Sequence, residues 1–257
     1  NLNVSPYFDD FVDSKNYHKV LFKPGFPVQA RELTTLQSIL QNQVEKFGQH
    51  FFKEGSMVIP GGTTYDDEYF SVKIDPNFLN IPVSNYTKVL VDNAIRIKGE
   101  TSGAEAVVVN RITSSESIDG FDTLYVKYTK SGEDGVTSTF LDGENLITLS
   151  NINYLNTSIT ADSQFARCIV SNATSVGSAF SVSEGIYFIR GFFVTNVTST
   201  IILDQYTNEP SYRVGFLLKE ETIGPSSVNS DLYDNAKGFS NESAPGADRF
   251  KLSTVLH

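Results

Sequence analysis

Val28–Gly55 reads VQARELTTLQSILQNQVEKFGQHFFKEG and is the one clearly helical stretch of the 257-residue chain. Apolar side chains recur at Leu33, Leu36, Leu40, Val44, Phe47 and Phe51, a 3-4-4-3-4 spacing that sets all six on one face. KPGFP makes a turn-rich entry, Glu32 suits the positive end of the helix dipole, and Gly55 is a good stop. From Val28 to Lys53 the expected helix is about 39 Å long. Its other face is rich in Gln, Asn and Thr, which leaves two readings. The helix packs on its own β domain, or it associates with copies of itself about a symmetry axis. The 3-4-4 spacing would then give little or right-handed supercoil.

Everything after Gly55 reads as β. The expected strands are SMVIP (56–60), YFSVKI (69–74), KVLVDNAIRI (88–97), AEAVVVNRI (104–112), TLYVKYT (123–129) and NLITLS (145–150). ARCIV (166–170), IYFIRGFFV (186–194), STIILDQ (199–205) and YRVGFLLKEET (212–222) complete the set. Short β-branched and aromatic runs between Gly, Asn, Asp and Ser predict a mainly β fold, with antiparallel sandwich or barrel domains beside one long N-terminal amphipathic α-helix. Three regions are expected: an arm and helix over 1–55, a split main β domain over 56–87 plus 151–257, and a small barrel-like insertion over 88–150. GSMVIPGG (55–62) and GIYFIRGF (185–192) share Gly-x-x-x-Ile-x-Gly and read as equivalent strands of the split domain.

Bulk composition excludes several functions. A net charge of −10 without Lys/Arg clusters argues against nucleic acid and against an anionic membrane surface. No apolar run reaches the length of a membrane span. NLNVSPYFDD lacks a basic and an apolar region, so no signal peptide is visible, and without an initiator Met the chain reads as a processed product or a segment of something longer. The single cysteine, Cys168, has the flanks of a buried strand thiol. N-x-S/T sequons read as a consequence of an Asn/Ser/Thr-rich β protein.

The sequence offers little chemistry. His18, His50 and His257 are scattered singly, so no metal site is expected, and no nucleotide or nucleophile-elbow motif implies a cofactor or an active site. Asp9-Asp10, Asp66-Asp67-Glu68, Glu133-Asp134 and Glu220-Glu221 could supply paired carboxylates for glycoside hydrolysis, but they fall in turns or at strand edges. The stretch LYDNAKGFSNESAPGADRFKLS (232–253) has no phosphate-loop spacing. Pro245 presets φ, Gly238 and Gly246 permit positive φ, and Arg249 beside Asp248 offers a local salt bridge or a fork for carbonyls of a neighbouring strand or subunit. Pro245, Gly246, Asp248 and Arg249 are therefore expected to form a structural loop that delivers strand FKLSTV.

NYHKVLF (16–22), PGFPVQARELTTLQ, the helix ending FFKEGS, IYFIRGFFV and the 232–253 stretch together resemble virion structural proteins of tailed bacteriophages. These are tail-fibre or baseplate-associated proteins, common in cyanophage-like phages. The resemblance implies a non-enzymatic, homotrimeric attachment module whose partners are itself and other tail, baseplate or fibre proteins. It would be assembled in the host cytoplasm and carried in the virion, without cofactor, nucleic acid or membrane. Leu33, Leu36, Leu40, Val44, Phe47 and Phe51 would form its oligomer interface. Such proteins often continue into a fibre region, whereas this chain stops at FKLSTVLH. The competing expectation is a virion-borne glycan-binding or depolymerase module, placed in 88–150 for binding and at Asp66 or Asp67 for hydrolysis.

Overall fold

The computed structural model describes residues 3–224, 232 and 245–257. After a single 3₁₀ turn at Asp13–Lys15, the long helix α1 spans Ala30–Phe51. Strands β1 (Met57–Ile59), β2 (Thr63–Ile74), β3 (Asn77–Phe78) and β4 (Ile81–Pro82) follow. A second helix, α2 (Ser84–Asp92), leads to β5 (Arg96–Gly99), β6 (Glu105–Ile112), β7 (Asp122–Lys130) and β8 (Asn145–Thr148). Next come β9 (Ile152–Tyr154), β10 (Thr157–Ile159), β11 (Gln164–Arg167) and β12 (Thr174–Val182). The last five are β13 (Gly185–Ile189), β14 (Phe192–Asn196), β15 (Ser199–Asp204), β16 (Phe216–Ile223) and β17 (Arg249–Leu256).

The fold is mainly β with antiparallel sheets, as the short branched and aromatic runs predict. It gathers into two compact units. The first is drawn from Asn1–Thr63, Val182–Ser199 and Val214–His257, the second from Thr64–Ser181 and Thr200–Arg213.

The second unit is built on an eight-stranded sheet in the order β11-β8-β5-β6-β7-β2-β12-β15. The sheet is open, and no barrel closes among the described residues. The unit is also wider than the 88–150 insertion expected from the sequence, because β7 continues its ladder onto β2, with Phe70 opposite Val126 and Ile74 opposite Asp122. Alternation along the strands sends Val72, Ile74, Ile97, Ala106, Val108, Leu124, Val126 and Leu146 into one buried cluster. Tyr69 and Tyr125 stack at 4.9 Å in a second, smaller cluster with Ala179. Cys168 is buried, and desolvation raises its thiol pKa to about 12, which suits packing and not nucleophilic attack.

One expected strand is a helix. Within KVLVDNAIRI, the first half belongs to α2 and only Arg96 and Ile97 join β5. Val83, Tyr86, Thr87 and Leu90 are buried at i, i+3, i+4 and i+7, a helical stripe that docks on the sheet. Tyr86 Oη donates to the Phe165 carbonyl at 2.5 Å, and Arg111 Nη1 donates to Thr87 Oγ1 at 3.1 Å. Ala94 then takes φ +45°, which turns the chain out of the helix and into β5.

The first unit has a three-stranded sheet, β1-β13-β14, and a separate antiparallel ribbon, β16-β17. The two Gly-x-x-x-Ile-x-Gly segments are neighbours in that sheet, with Met57 opposite Tyr187 and Ile59 opposite Ile186. Their glycines serve different ends in the two segments, Gly55 and Gly191 taking positive φ and Gly61 and Gly185 allowing close backbone approach. A β-carbon on Gly185 would lie 2.7 Å from the Gly61 nitrogen, so the backbones cross where no side chain fits. IYFIRGFFV is not one strand but the β13–β14 hairpin, turned at Arg190 (φ +51°) and Gly191 (φ +80°).

Candidate functional site

Helix α1 starts where Glu32 Oε2 accepts the Gln29 N–H at 2.8 Å, a reach back from the first turn. It ends where the Phe52 N–H donates to the Gly48 carbonyl at 2.8 Å and Gly55 takes φ +78°. Its inward face is Thr35, Ile39 and Gly48. A β-carbon at Gly48 would overlap the Phe188 ring, which is 1% exposed and packs against Phe193 at 5.4 Å. The rest of the inward contact is polar. Gln41 Nε2 donates to the Gly191 carbonyl at 2.9 Å, and Thr35 and Ser38 hold the arm through the Asp10 N–H and the Asp9 carboxylate.

The predicted stripe therefore lies on the other side of the helix. At about 3.6 residues per turn, Leu33, Leu40, Val44, Phe47 and Phe51 project opposite the Thr35/Ser38/Asn42 side. All five are exposed, Phe47 at 65% and Phe51 at 63%, and Leu36 is half-buried. Phe47 and Phe51 rest on each other at 4.9 Å between ring centres. The amide-rich face, which the sequence leaves open as a partner surface, is the one the helix uses for its own unit.

The arm before α1 behaves the same way. Its early residues are pinned by polar contacts: Asp13 to Lys46 at 2.5 Å, Ser38 to Asp9 at 2.6 Å, and Tyr7 to the Asp248 carboxylate. Beyond Asn16 it turns its apolar side chains outward. Tyr17, Leu21, Phe22, Phe26 and Val28 are all exposed. Sequence reading found the helix stripe but missed this second set; the signal was there in NYHKVLFKPGFPV, an apolar run with no helical or strand period.

The expected structural loop is described from Pro245 onward; Gly238 and the rest of 233–244 lie outside the described residues. Gly246 does not take a positive φ, so its expected left-handed role falls away. Arg249 does not pair with Asp248. Its Nη1 donates to the carbonyls of Ala247 at 2.9 Å and Asp248 at 3.4 Å, because Tyr7 occupies the Asp248 carboxylate. β17 then pairs along its whole length with β16, from Arg249 opposite Ile223 to Leu256 opposite Phe216.

The carboxylate clusters are dispersed among local partners. Asp66 meets Lys127 at 3.0 Å, Glu221 meets Lys219 at 2.8 Å, Glu220 meets Arg190, and Asp134 accepts from Val136, Thr137 and the Thr137 hydroxyl. Among the described residues, no three metal-ligating side chains lie together, and no helix is long and apolar enough to cross a membrane.

Sequence reading missed two features of the second unit, and only the second has a local signal. Lys73 Nζ lies 2.6 Å from Asp119 and 3.9 Å above the Tyr206 ring. Tyr206 and Ser117 also donate to Asp119, at 2.8 and 2.7 Å. Partial burial works against the Asp119 carboxylate, but these donors and the Phe121 N–H outweigh it and hold its pKa at about 2. The cluster staples three separated segments, 73, 117–123 and 205–206. The second feature is a pair of matched hairpins, NFLNIP (77–82, β3–β4) and NYLNTS (153–158, β9–β10). Each carries an exposed leucine at its turn, Leu79 with φ +48° and Leu155 with φ +49°. A cleft of about 250 Å³ beside them is lined by Phe78, Ile81, Tyr86, Ser158, Thr160 and Gln164, among others.

A family described as a domain of unknown function, DUF4815, matches residues 5–117. The matched stretch takes in the arm, all of α1 and the chain through β6. No curated protein and no solved structure matches the chain.

Proposed function

We propose that this chain is a structural, non-enzymatic protein of a tailed-phage particle, a homotrimeric tail-fibre or baseplate component that attaches fibres or adaptors to the tail. The observation that carries the reading is the outward apolar stripe of α1: five large side chains exposed on a helix whose polar face is spent on its own unit. A single chain gains nothing from holding Phe47 and Phe51 in water, whereas a partner surface removes that area at about 25 cal/mol per Å². The stripe is flanked by Gln37 and Gln43, so contact between copies desolvates few charges there. Closed cyclic symmetry would bury one stripe per protomer. The phage setting rests on the sequence resemblance, and the partners in it are other tail, baseplate or fibre proteins of the virion.

Light scattering of the unmodified chain at micromolar concentration tests this directly, with a trimeric mass expected. Leu40→Asp is expected to give a folded monomer, since Leu40 is 59% exposed in the single chain. A monomeric unmodified chain sinks the reading. The cleft beside the two hairpins, which lies outside the expected 88–150 stretch, supports a second one, a glycan-binding module, because Phe78 and Ile81 sit beside the Ser158 and Thr160 hydroxyls and the Gln164 amide, a mix that suits a neutral sugar. Binding on a glycan array that is lost in Phe78→Ala separates it from a purely structural role.

A further inference from the structure

The cleft beside the two hairpins is small, and no Lys, Arg, Asp or Glu lines it. We infer that it holds a single uncharged pyranose ring, with the ring's C–H face on Leu79 and Phe78 and one of its hydroxyls donating to Gln164 Oε1. This deepens the glycan-binding reading above and rests on it. At about 250 Å³ the cleft falls below the roughly 300–1,000 Å³ of sites for drug-sized ligands, so one ring fills it. Phe78, Leu79 and Ile81 come from the β3–β4 hairpin and are apolar, while Ser158, Thr160 and Gln164 bring hydroxyls and an amide. A pyranose has the matching pattern, C–H groups on its faces and hydroxyls around its edge.

Two features prepare the cleft for such a ring. Asn145 Nδ2 and Gln164 Nε2 donate to the Glu100 carboxylate at 2.8 and 2.7 Å. These bonds hold the Glu100 carboxyl below its ordinary pKa, so it stays ionised and can only accept. The Gln164 amide is therefore turned with its nitrogen toward Glu100, and what it offers the cleft is the Oε1 acceptor. A sugar hydroxyl can donate to that atom, whereas a sugar carboxylate cannot. Charge works in the same direction. An acidic sugar would meet no cation in the cleft and an ionised Glu100 beside Gln164, on a chain of net charge −10. The second feature is Leu79. The β3–β4 turn puts Leu79 and Asn80 at φ +48° and +62°, positions where Asn and Gly are the usual residues. A leucine there strains the backbone and stands 80% exposed, and strain of this kind is kept where a ligand uses the side chain it presents. Leu79 supplies an apolar wall for the ring face. Leu155 sits at the matching turn and is as exposed, but it does not line the cleft.

An array of neutral oligosaccharides cut from dextran, mannan and galactan, beside uronic-acid ones cut from alginate, reads the charge selection on the unmodified chain. Binding to uncharged glycans alone is expected. Acidic glycans bound as well as neutral ones, or better, overturn the inference while the glycan-binding reading stands, and an array with no binder ends both. The tightest neutral binder is then titrated by calorimetry against variants whose thermal unfolding is also followed. Gln164→Leu and Leu79→Gly are each expected to bind about tenfold more weakly, with Leu79→Gly melting no lower than the parent. Leu155→Gly is expected to bind as the parent does. Full affinity in Gln164→Leu or in Leu79→Gly overturns the assignment, as does an equal loss in Leu155→Gly. A Leu79→Gly variant that loses both affinity and melting temperature makes Leu79 a packing residue and overturns it too.

Discussion

The two units of this chain draw on similar residues and spend them differently. The second unit buries its aliphatic and aromatic side chains in a continuous cluster from Val72 to Ala173. In the first, Ile39, Val182, Tyr187, Phe188 and Val194 are the buried apolar side chains among its described residues, while Val4, Phe8, Leu21, Phe26, Leu33, Leu40, Phe47, Phe51, Met57, Leu217 and others are exposed. On the oligomeric reading proposed above, that surface is what a partner would cover, and the contrast would separate a self-sufficient body from an associating one.

The sharpest test is one substitution made in both places. Leu124→Ala removes a side chain that is 1% exposed and is expected to cost about 2–5 kcal/mol. Leu40→Ala, measured at dilutions where the chain is monomeric, should stay within about 0.5 kcal/mol. The chain has no Trp, so urea unfolding is followed by circular dichroism. Equal losses would erase the distinction between the units.

Gly48→Ala probes the small packed interior of the first unit. An alanine in a helix normally stabilises, but here its methyl meets the buried Phe188 ring, and a net loss of about 1–3 kcal/mol is expected. A gain would mean that Phe188 has room to move.

Charge pairs give a smaller contrast. Asp119→Asn in the second unit should cost about 1 kcal/mol at neutral pH, and Asp13→Asn on the exposed Lys46 pair of the first less than that. The folded pKa of Asp119, about 2, lies below its ordinary value near 3.9. Its contribution is therefore complete above about pH 4 and fades as pH falls toward 2. The difference between variant and parent should vanish over that window; a difference that persists at pH 2 removes charge from the explanation.

The smallest effect is expected at Leu79→Gly, where relief of a positive φ at an exposed tip should raise stability by about 0.5–1 kcal/mol. Stability that falls instead would show Leu79 engaged in packing within the second unit.

Much of this was readable in the residues. The 3-4-4-3-4 spacing located α1, and branched runs located most strands. What the spacing could not supply was direction, since an apolar helical face ordinarily turns inward and here Thr35, Ile39 and Gly48 do. KVLV looked like a strand because its β-branched residues masked the stripe that begins earlier, at Val83 and Tyr86. TSVGSAFSV, which forms β12, carries too few large apolar residues to announce itself, and Gly177 is small because a β-carbon would lie 2.7 Å from the Gln205 carbonyl. The Lys73–Asp119–Tyr206 staple joins residues far apart in sequence and has no local pattern.

The order in which the chain visits its units has a mechanical meaning. Both the arm and β17 belong to the first unit, and the chain leaves it and returns twice in between. Tension applied between Asn3 and His257 therefore loads the first unit before it reaches the eight-stranded sheet. The β16–β17 ribbon lies directly in that path, its ladder unbroken from Phe216 to Ile223.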